Sequence, residues 1–400
     1  MRLFSFVGKP HKGYEETVYV YGGRECRTRF VQEALSEFFE PEEVVLFVTE
    51  GARETYEGLR ARLPNVRAVR IPDGKSVDEM WEIFGRICDE VEDGESIVFD
   101  ITHGFRAIPF ISFLAVGYLK QIKSVSLRVV YGMFEEGRGK TPIVDLTEFS
   151  TILDWMTAVN SFVKYSNAVQ MSEMIEEVHQ RLWRERRAEP RTLKRFGSRL
   201  RELSYAIHLS RPIDSSEKAK EVIEMIPRVV DELRFVPPLS KILAAFEGFR
   251  RFACGEPGEL SAETLRAQLE LIKYQMENDL VLQAVELARE WVVNYCIYKL
   301  DYRKEDWLKR DVRAEIEKAL RALVLEKIGK EFEPTGQPPT GLTDSLRNYG
   351  EIVDLWNRIS SLRNDLAHCG MSEEARSVSR IFNSAKEVVD ELERIYETPH

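Results

Sequence analysis

Three polar side chains near the end of the chain are of the types needed to handle a phosphodiester. In "SLRNDLAHCG", residues 361–370, Arg363 and Asn364 precede His368, with four positions between the arginine and the histidine. An imidazole moves protons near neutral pH. A guanidinium holds a phosphate oxygen and spreads positive charge toward a trigonal-bipyramidal transition state. Asn364 suits the orientation of either partner. Only Asp365 adjoins the trio, whereas two-metal phosphodiesterases place a group of carboxylates on their ions, so no metal is expected. For a metal-free route RNA supplies its own nucleophile, the 2′-hydroxyl, which DNA lacks.

The spacing sets a geometric problem. Ile352, Leu355, Ile359, Leu362 and Leu366 recur at helical spacing, and Gly370 is placed to stop the helix. At about 100° per residue, Arg363 and His368 point about 140° apart on a regular helix. Either the helix ends or bends between them, or a second copy of the chain completes the site across a two-fold axis. A plain structural role suits the same residues, with Arg363 paired to a neighbouring carboxylate and His368 closing a helix C-terminus.

A second candidate lies in "SIVFDITHGFRAIPFISF". An apolar strand ends at Asp100, turns through Thr102, His103 and Gly104, and resumes as an apolar helix with Pro109 in its first turn. Ligands of open parallel sheets sit beyond the carboxyl ends of the strands, where helix N-termini favour anions. Lys9, His11 and Lys12 follow the first strand and Thr49 to Ala52 follow the second, so three loops are expected to converge on a phosphate-bearing guest. The Gly-x-Gly-x-x-Gly and Gly-Lys-Ser/Thr fingerprints are absent. A plain connecting turn around His103 is the alternative.

These sites need elements to hold them. Up to about residue 147, "RLFSFVG", "EEVVLFVTEGA", "VRAVRIPDG" and "SIVFDIT" read as strands alternating with amphipathic helices, and "ETVYVYGG" as an excursion hairpin. "SLRVVYGMFEEGRGKTPIVDLTEF" reads as two strands across a "GRGK" turn that close the sheet. Beyond it the periodicity is helical throughout, with no fixed repeat. The expected fold is thus an α/β, Rossmann-like N-terminal domain with a parallel-rich sheet, followed by an all-α region.

At 400 residues the chain exceeds the roughly 250 to 300 at which single cores stop growing. A net charge of −10 argues against non-specific coating of nucleic acid. The local exception is residues 181–201, with nine Arg or Lys against two Glu, a pattern that also fits a solvated helical face. Five scattered cysteines suit reduced thiols, and the lack of a long apolar run or a signal-peptide pattern predicts a cytoplasmic protein with no membrane span.

The sequence resembles the CRISPR-associated ribonucleases of type III systems, which join an N-terminal CARF domain to a C-terminal HEPN domain. The likeness rests on "FSFVGK" followed by "RTRFVQEAL", on "DITHGFRAIPF", on "RNDLAH", and on "LQAVELAREWVVNY" as the long helix opening the nuclease core. It implies a homodimer whose CARF domains (residues 1–148) bind a cyclic oligoadenylate, with cyclic tetra-adenylate the expected ring and no cofactor. It further implies HEPN domains (276–400) that cleave single-stranded RNA. Residues 149–275 would be a helical linker or insertion. By this resemblance Arg363, Asn364 and His368 are catalytic, and Thr102, His103, Gly104, Phe105 and Arg106 meet the cyclic ligand. Lys9, Thr49, Glu50, Gly51 and Ala52 join them by loop position. The competing expectation is a non-enzymatic, nucleotide-responsive regulator in which "RNDLAH" is structural and residues 181–201 contact nucleic acid.

Overall fold

The computed structural model describes residues 1–8, 14–103, 107–135, 139–185, 190–233, 243–330, 340–371, 373 and 375–398. The chain divides into two compact units, Met1–Asp154 and Trp155–His400.

The first unit is built on an eight-stranded sheet of order β3-β2-β8-β7-β6-β1-β4-β5. Its centre is β1 (Arg2–Val7), which pairs in parallel with β4 (Glu43–Val48) on one side and β6 (Ser96–Asp100) on the other. These strands are near-continuously apolar because both faces are covered. Phe4, Phe6, Phe47 and Phe99 pack on one face, and Leu3, Leu46 and Val98 on the other. Helix α1 (Val31–Phe39) covers the second face. Helices α3 (Val77–Asp89) and α4 (Ala107–Ile122) cover the first. Ser76 caps α3 through the Glu79 amide.

The sheet departs from the sequence reading at three places. The excursion hairpin, β2 (Thr17–Tyr21) and β3 (Arg24–Thr28), extends the main sheet by pairing β2 in parallel with β8 (Lys140–Asp145). Hence β8, antiparallel to β7 (Ser126–Gly132), does not end the sheet; β3 and β5 (Val66–Arg70) are its edges. A short helix α2 (Arg53–Arg60), unread in the sequence, follows β4; Leu59 is its one buried residue, so it carries no apolar stripe. Residues 147–149, read as the end of a strand, instead begin helix α5 (Thr147–Tyr165). Asp145 turns the chain there by accepting the Thr147 amide at 2.9 Å.

The second unit is helical among its described residues. It contains α6 (Val169–Arg184), α7 (Leu193–His208), α8 (Pro212–Glu232), a 3-10 segment Leu243–Phe252, and α9 (Ala262–Glu277). Then come α10 (Val281–Lys299), α11 (Arg310–Lys327), α12 (Thr340–Arg347), α13 (Gly350–Ala367) and α14 (Val378–Glu397). One hydrophobic cluster runs from Trp155 to Ile395. Polar bonds tie α9 to α10 inside it: the Trp291 indole donates to the Leu265 carbonyl at 2.9 Å, and Asn294 Nδ2 donates to Gln268 Oε1 at 2.9 Å. All five cysteines are unbridged. No helix among the described residues is long and apolar enough to cross a membrane.

Candidate functional site

The strand order reverses direction at β1: β4 and β5 lie to one side, β6 and β7 to the other. A crevice beyond the carboxyl ends of strands at such a point is where open α/β sheets hold ligands. The residues there form a fixed frame. Asp100, fully buried at the end of β6, accepts from Ser5 Oγ at 2.6 Å, from the Thr102 amide at 2.9 Å, and from the Thr102 hydroxyl. Gln32 on α1 donates to Ser5 Oγ at 3.0 Å and to the Phe6 carbonyl at 2.9 Å. The Thr102 hydroxyl also accepts the Gly132 amide at 2.7 Å. A Cβ at position 132 would sit 3.3 Å from that threonine side chain, so glycine permits the approach. Three strands are thereby locked to the turn that presents His103.

His103 stacks edge-on against Tyr14, with ring centroids 5.3 Å apart, and Tyr14 donates to the Gly8 carbonyl at 2.9 Å. The loops leaving β1 and β6 are therefore in contact. Burial holds the His103 imidazole below its ordinary value, offset in part by Asp100. Burial likewise raises the Asp100 carboxyl, against the pull of Ser5, Thr102 and His103, and pushes the Tyr14 phenol up to about 12. His103 Nε2 is buried without a hydrogen-bond partner among the described residues. A neutral imidazole with one unsatisfied nitrogen beside a strand-end crevice is suited to meet a polar ligand atom.

The loop after β4 forms a 3-10 turn, Glu50–Ala52, in which the Ala52 amide donates to the Thr49 carbonyl at 3.0 Å. Thr49 and Ala52 are buried, while Glu50 and Gly51 are exposed. No hydrogen bond or ring contact among the described residues joins this turn to the His103 cluster. Lys9, His11, Lys12, Gly104, Phe105 and Arg106 lie outside the described residues. Ser5, Gln32 and Tyr14 were not singled out from the sequence. Gln32 had a signal: it interrupts the apolar stripe Val31, Ala34, Leu35 and Phe38 of α1, where a buried amide needs partners.

In the second unit, α13 buries Ile352, Leu355, Ile359 and Leu362, with Leu366 partly buried against the same core. The helix is regular to Ala367, and His368 is its C-cap. The closure is a Schellman motif: the Gly370 amide donates to the Asp365 carbonyl at 3.2 Å and the Cys369 amide to the Leu366 carbonyl at 3.0 Å. Both Cys369 and Gly370 have positive φ, so the left-handed turn begins one residue before the expected glycine. No bend falls between Arg363 and His368, and their side chains leave the helix about 140° apart.

Arg363 Nε donates to Glu286 of α10 at 3.1 Å, and the two side chains remain 41% and 36% exposed. Exposed pairs of this kind contribute about 0 to 1 kcal/mol, so the contact aims the guanidinium without burying it. Asn364 and His368 are exposed. Asp365 is engaged elsewhere: its Oδ2 accepts the Arg376 amide at 3.0 Å and Arg376 Nη1 at 3.3 Å, which pins the segment after the helix. Both contacts of the plain structural role, a carboxylate on Arg363 and a helix end at His368, are thus present, while Asn364 and His368 are exposed and Arg363 is partly so. No group of three or more His, Cys, Asp or Glu side chains that could hold a metal occurs among the described residues. In the basic run, Arg195 and Arg199 pair with Glu221, Arg199 also with Glu202, and Arg201 with Ser172.

Two family models match parts of the chain. Residues 2–135 match the family model of the CARF domain of the CRISPR system endoribonuclease Csx1. Residues 151–252, for which the sequence reading found no counterpart, match the second domain of the CRISPR-associated protein MJ1674. The MJ1674 protein of Methanocaldococcus jannaschii is 28% identical over 173 residues, a match spanning 40% of this chain and 27% of that protein. The chain therefore spans about a quarter of the length of this curated relative. Enterococcus italicus Csm6 bound to cyclic hexa-2′-fluoro-hexa-dAMP aligns over 99% of this chain and 93% of its own, at 13% identity and a TM-score of 0.39, a likeness too loose to bear weight. Residues 2–135, which carry the switch point with Asp100, Thr102 and His103, are thus similar to a CARF domain of the CRISPR-associated kind.

Proposed function

We propose that this chain is a cyclic-oligoadenylate-activated endoribonuclease that cleaves single-stranded RNA without a metal, in type III CRISPR defence. The observation that carries the reading is the combination, in one polypeptide, of a match to a CARF domain with a partly exposed Arg363 and an exposed Asn364 and His368 at the end of a core-anchored helix. Residues 276–400 act as the HEPN nuclease and residues 149–275 connect it to the sensor.

The chemistry uses the substrate's own nucleophile. His368 takes or gives the proton at the 2′-hydroxyl or the leaving 5′-oxygen, while Arg363 neutralises the pentacoordinate phosphorane. Attack of the 2′-oxygen on the adjacent phosphorus leaves a 2′,3′-cyclic phosphate and a 5′-hydroxyl. Because Arg363 and His368 diverge on a straight helix, the reading requires two copies: the guanidinium of one and the imidazole of the other share one scissile phosphate across a two-fold axis. The ligand binds at the His103 crevice, and its higher affinity for the competent dimer shifts the population toward it.

The test is incubation of a fluorescent RNA with the purified chain and each synthetic cyclic adenylate, with and without EDTA. Cleavage is expected with one ring, the tetra-adenylate, undiminished by EDTA, absent on DNA and abolished in His368→Ala with ligand binding intact. Salt-dependent duplex DNA binding with no RNA breakdown at any activator concentration would replace this reading with that of a non-enzymatic regulator.

A further inference from the structure

A cavity of about 690 Å³ runs between α11 and α13 and ends on Arg363 and Asn364. On α11 its wall presents Lys318 and Arg321, and on α13 Asn357 and Ser360, at helical spacings that keep each pair on one face. Its charge is lopsided. Arg289, Lys318, Arg321 and Arg363 line it against a single carboxylate, Glu317, in a chain whose net charge is −10. That carboxylate is already satisfied, since Arg289 Nη2 donates to Glu317 at 2.8 Å while its guanidinium lies 4.6 Å from the centre of the Trp356 ring. Lys318 and Arg321 are exposed and, among the described residues, carry no ion pair.

Two cations without an ion pair among the described residues, held on one helix and continuous with Arg363 and Asn364, suit a polyanion. We propose that this groove is the track for the sugar-phosphate backbone of single-stranded RNA, with Lys318 and Arg321 as its phosphate contacts and Asn357 and Ser360 as its neutral donors. This deepens the nuclease reading and rests on it for the identity of the strand. From Asn357 to Asn364 the helix rises about 10 Å, enough for a short run of nucleotides beside the scissile linkage. Trp356 is 5% exposed and roofed by Arg289, so no open aromatic face is offered for base stacking. Recognition through phosphates alone is sequence-tolerant and strongly salt-dependent.

The experiment measures fluorescence anisotropy of a 2′-O-methyl RNA strand, which binds but has no free nucleophile, on the full chain over a series of salt concentrations. It is run with and without cyclic tetra-adenylate. Lys318→Gln/Arg321→Gln is compared with wild type and with Arg228→Gln, an exposed charge on α8 outside the groove. The double variant is expected to flatten the slope of log affinity against log salt by about 1.4, two contacts at about 0.7 each, and to weaken binding at low salt by roughly tenfold or more. Arg228→Gln is expected to match wild type. On cleavable RNA the double variant raises KM with kcat within about twofold. A slope unchanged from wild type, or no binding of the strand by wild type, overturns the proposal. Binding that behaves as expected without cleavage of any RNA sinks the nuclease reading alone, and cleavage with an unchanged slope sinks the groove alone.

Discussion

Removing the Asp100 carboxylate should loosen the sensor crevice by an amount the hydrogen bonds define. In Asp100→Ala the Thr102 amide and the hydroxyls of Ser5 and Thr102 lose their common acceptor, fully buried on the Ser5 side and partly so at Thr102. Each buried group left unmet costs about 1 to 3 kcal/mol, and the hydroxyls can rotate to recover part, so the net loss is about 3 to 5 kcal/mol. Asp100→Asn keeps an oxygen for Thr102 and turns an amide toward Ser5 Oγ, which has lone pairs to accept it; its cost is about 1 kcal/mol. The sign with pH follows from burial. The Asp100 carboxyl is held above its ordinary 3.8, so the wild type loses stability as pH rises from 3.8 through the raised value, and the Asn variant does not. The cost of Asp100→Asn is therefore greatest in acid and shrinks toward neutrality. With two compact units, a single unfolding midpoint would mix their transitions, so the assay is native-state hydrogen exchange on peptides covering β1 and the turn from β6 into α4. If the proposed cyclic adenylate seats at His103, its binding should weaken in step with lost protection there. An Ala variant within about 1 kcal/mol of wild type, or an Asn variant as damaging as Ala, would refute the frame as described.

Three further outcomes follow from the same structure. His103 is held below its ordinary 6.5, so its contribution to the N-terminal unit is complete above pH 6.5 and is lost as pH falls below it; exchange protection around β6 measured between pH 5 and 8 checks this. Glu286→Gln should change stability by less than about 1 kcal/mol yet lower kcat roughly tenfold by freeing the guanidinium it aims, with Glu286→Asp recovering part of the rate; equal stability and equal kcat would show that the pair does not position Arg363. In Gly117→Ala the new methyl meets only the end of the half-buried Leu153 side chain, which can turn away, so the gain in helix propensity of about 1 kcal/mol prevails, read as slower hydrogen exchange across α4.

The elements of the first unit were legible where one physical signal dominated. Ile97, Val98 and Phe99 announce a doubly covered strand by composition alone, and Ser76 ahead of Glu79 marks the start of α3. Reading failed where the deciding contact was distant or weak. Nothing in "ETVYVYGG" says that it will pair with Lys140–Pro142, because register between strands far apart in sequence is set by the whole sheet. Helix α2 escaped because it is amphipathic only through Leu59, and Thr147 because polar Asp145 and Thr147 around Leu146 continue the alternation of the strand before them. At the sites, the positions of Thr102, His103, Arg363 and His368 on a turn and a helix end followed from local pattern. Their partners did not: Ser5 lies 95 residues from Asp100, and Glu286 lies 77 residues from Arg363.

The margins of the eight-stranded sheet restrict how two copies can come together. One margin, β3, exposes Glu25 and Arg27 in alternation with buried Cys26 and Thr28, and the other, β5, carries Arg67 and Arg70. Fixed charges along an open ladder repel an incoming ribbon and keep its amides hydrated, so sixteen-stranded continuation across molecules is disfavoured. Any self-association of this unit is thereby turned away from the sheet margins and toward its helical faces or the mouth above the strand tips.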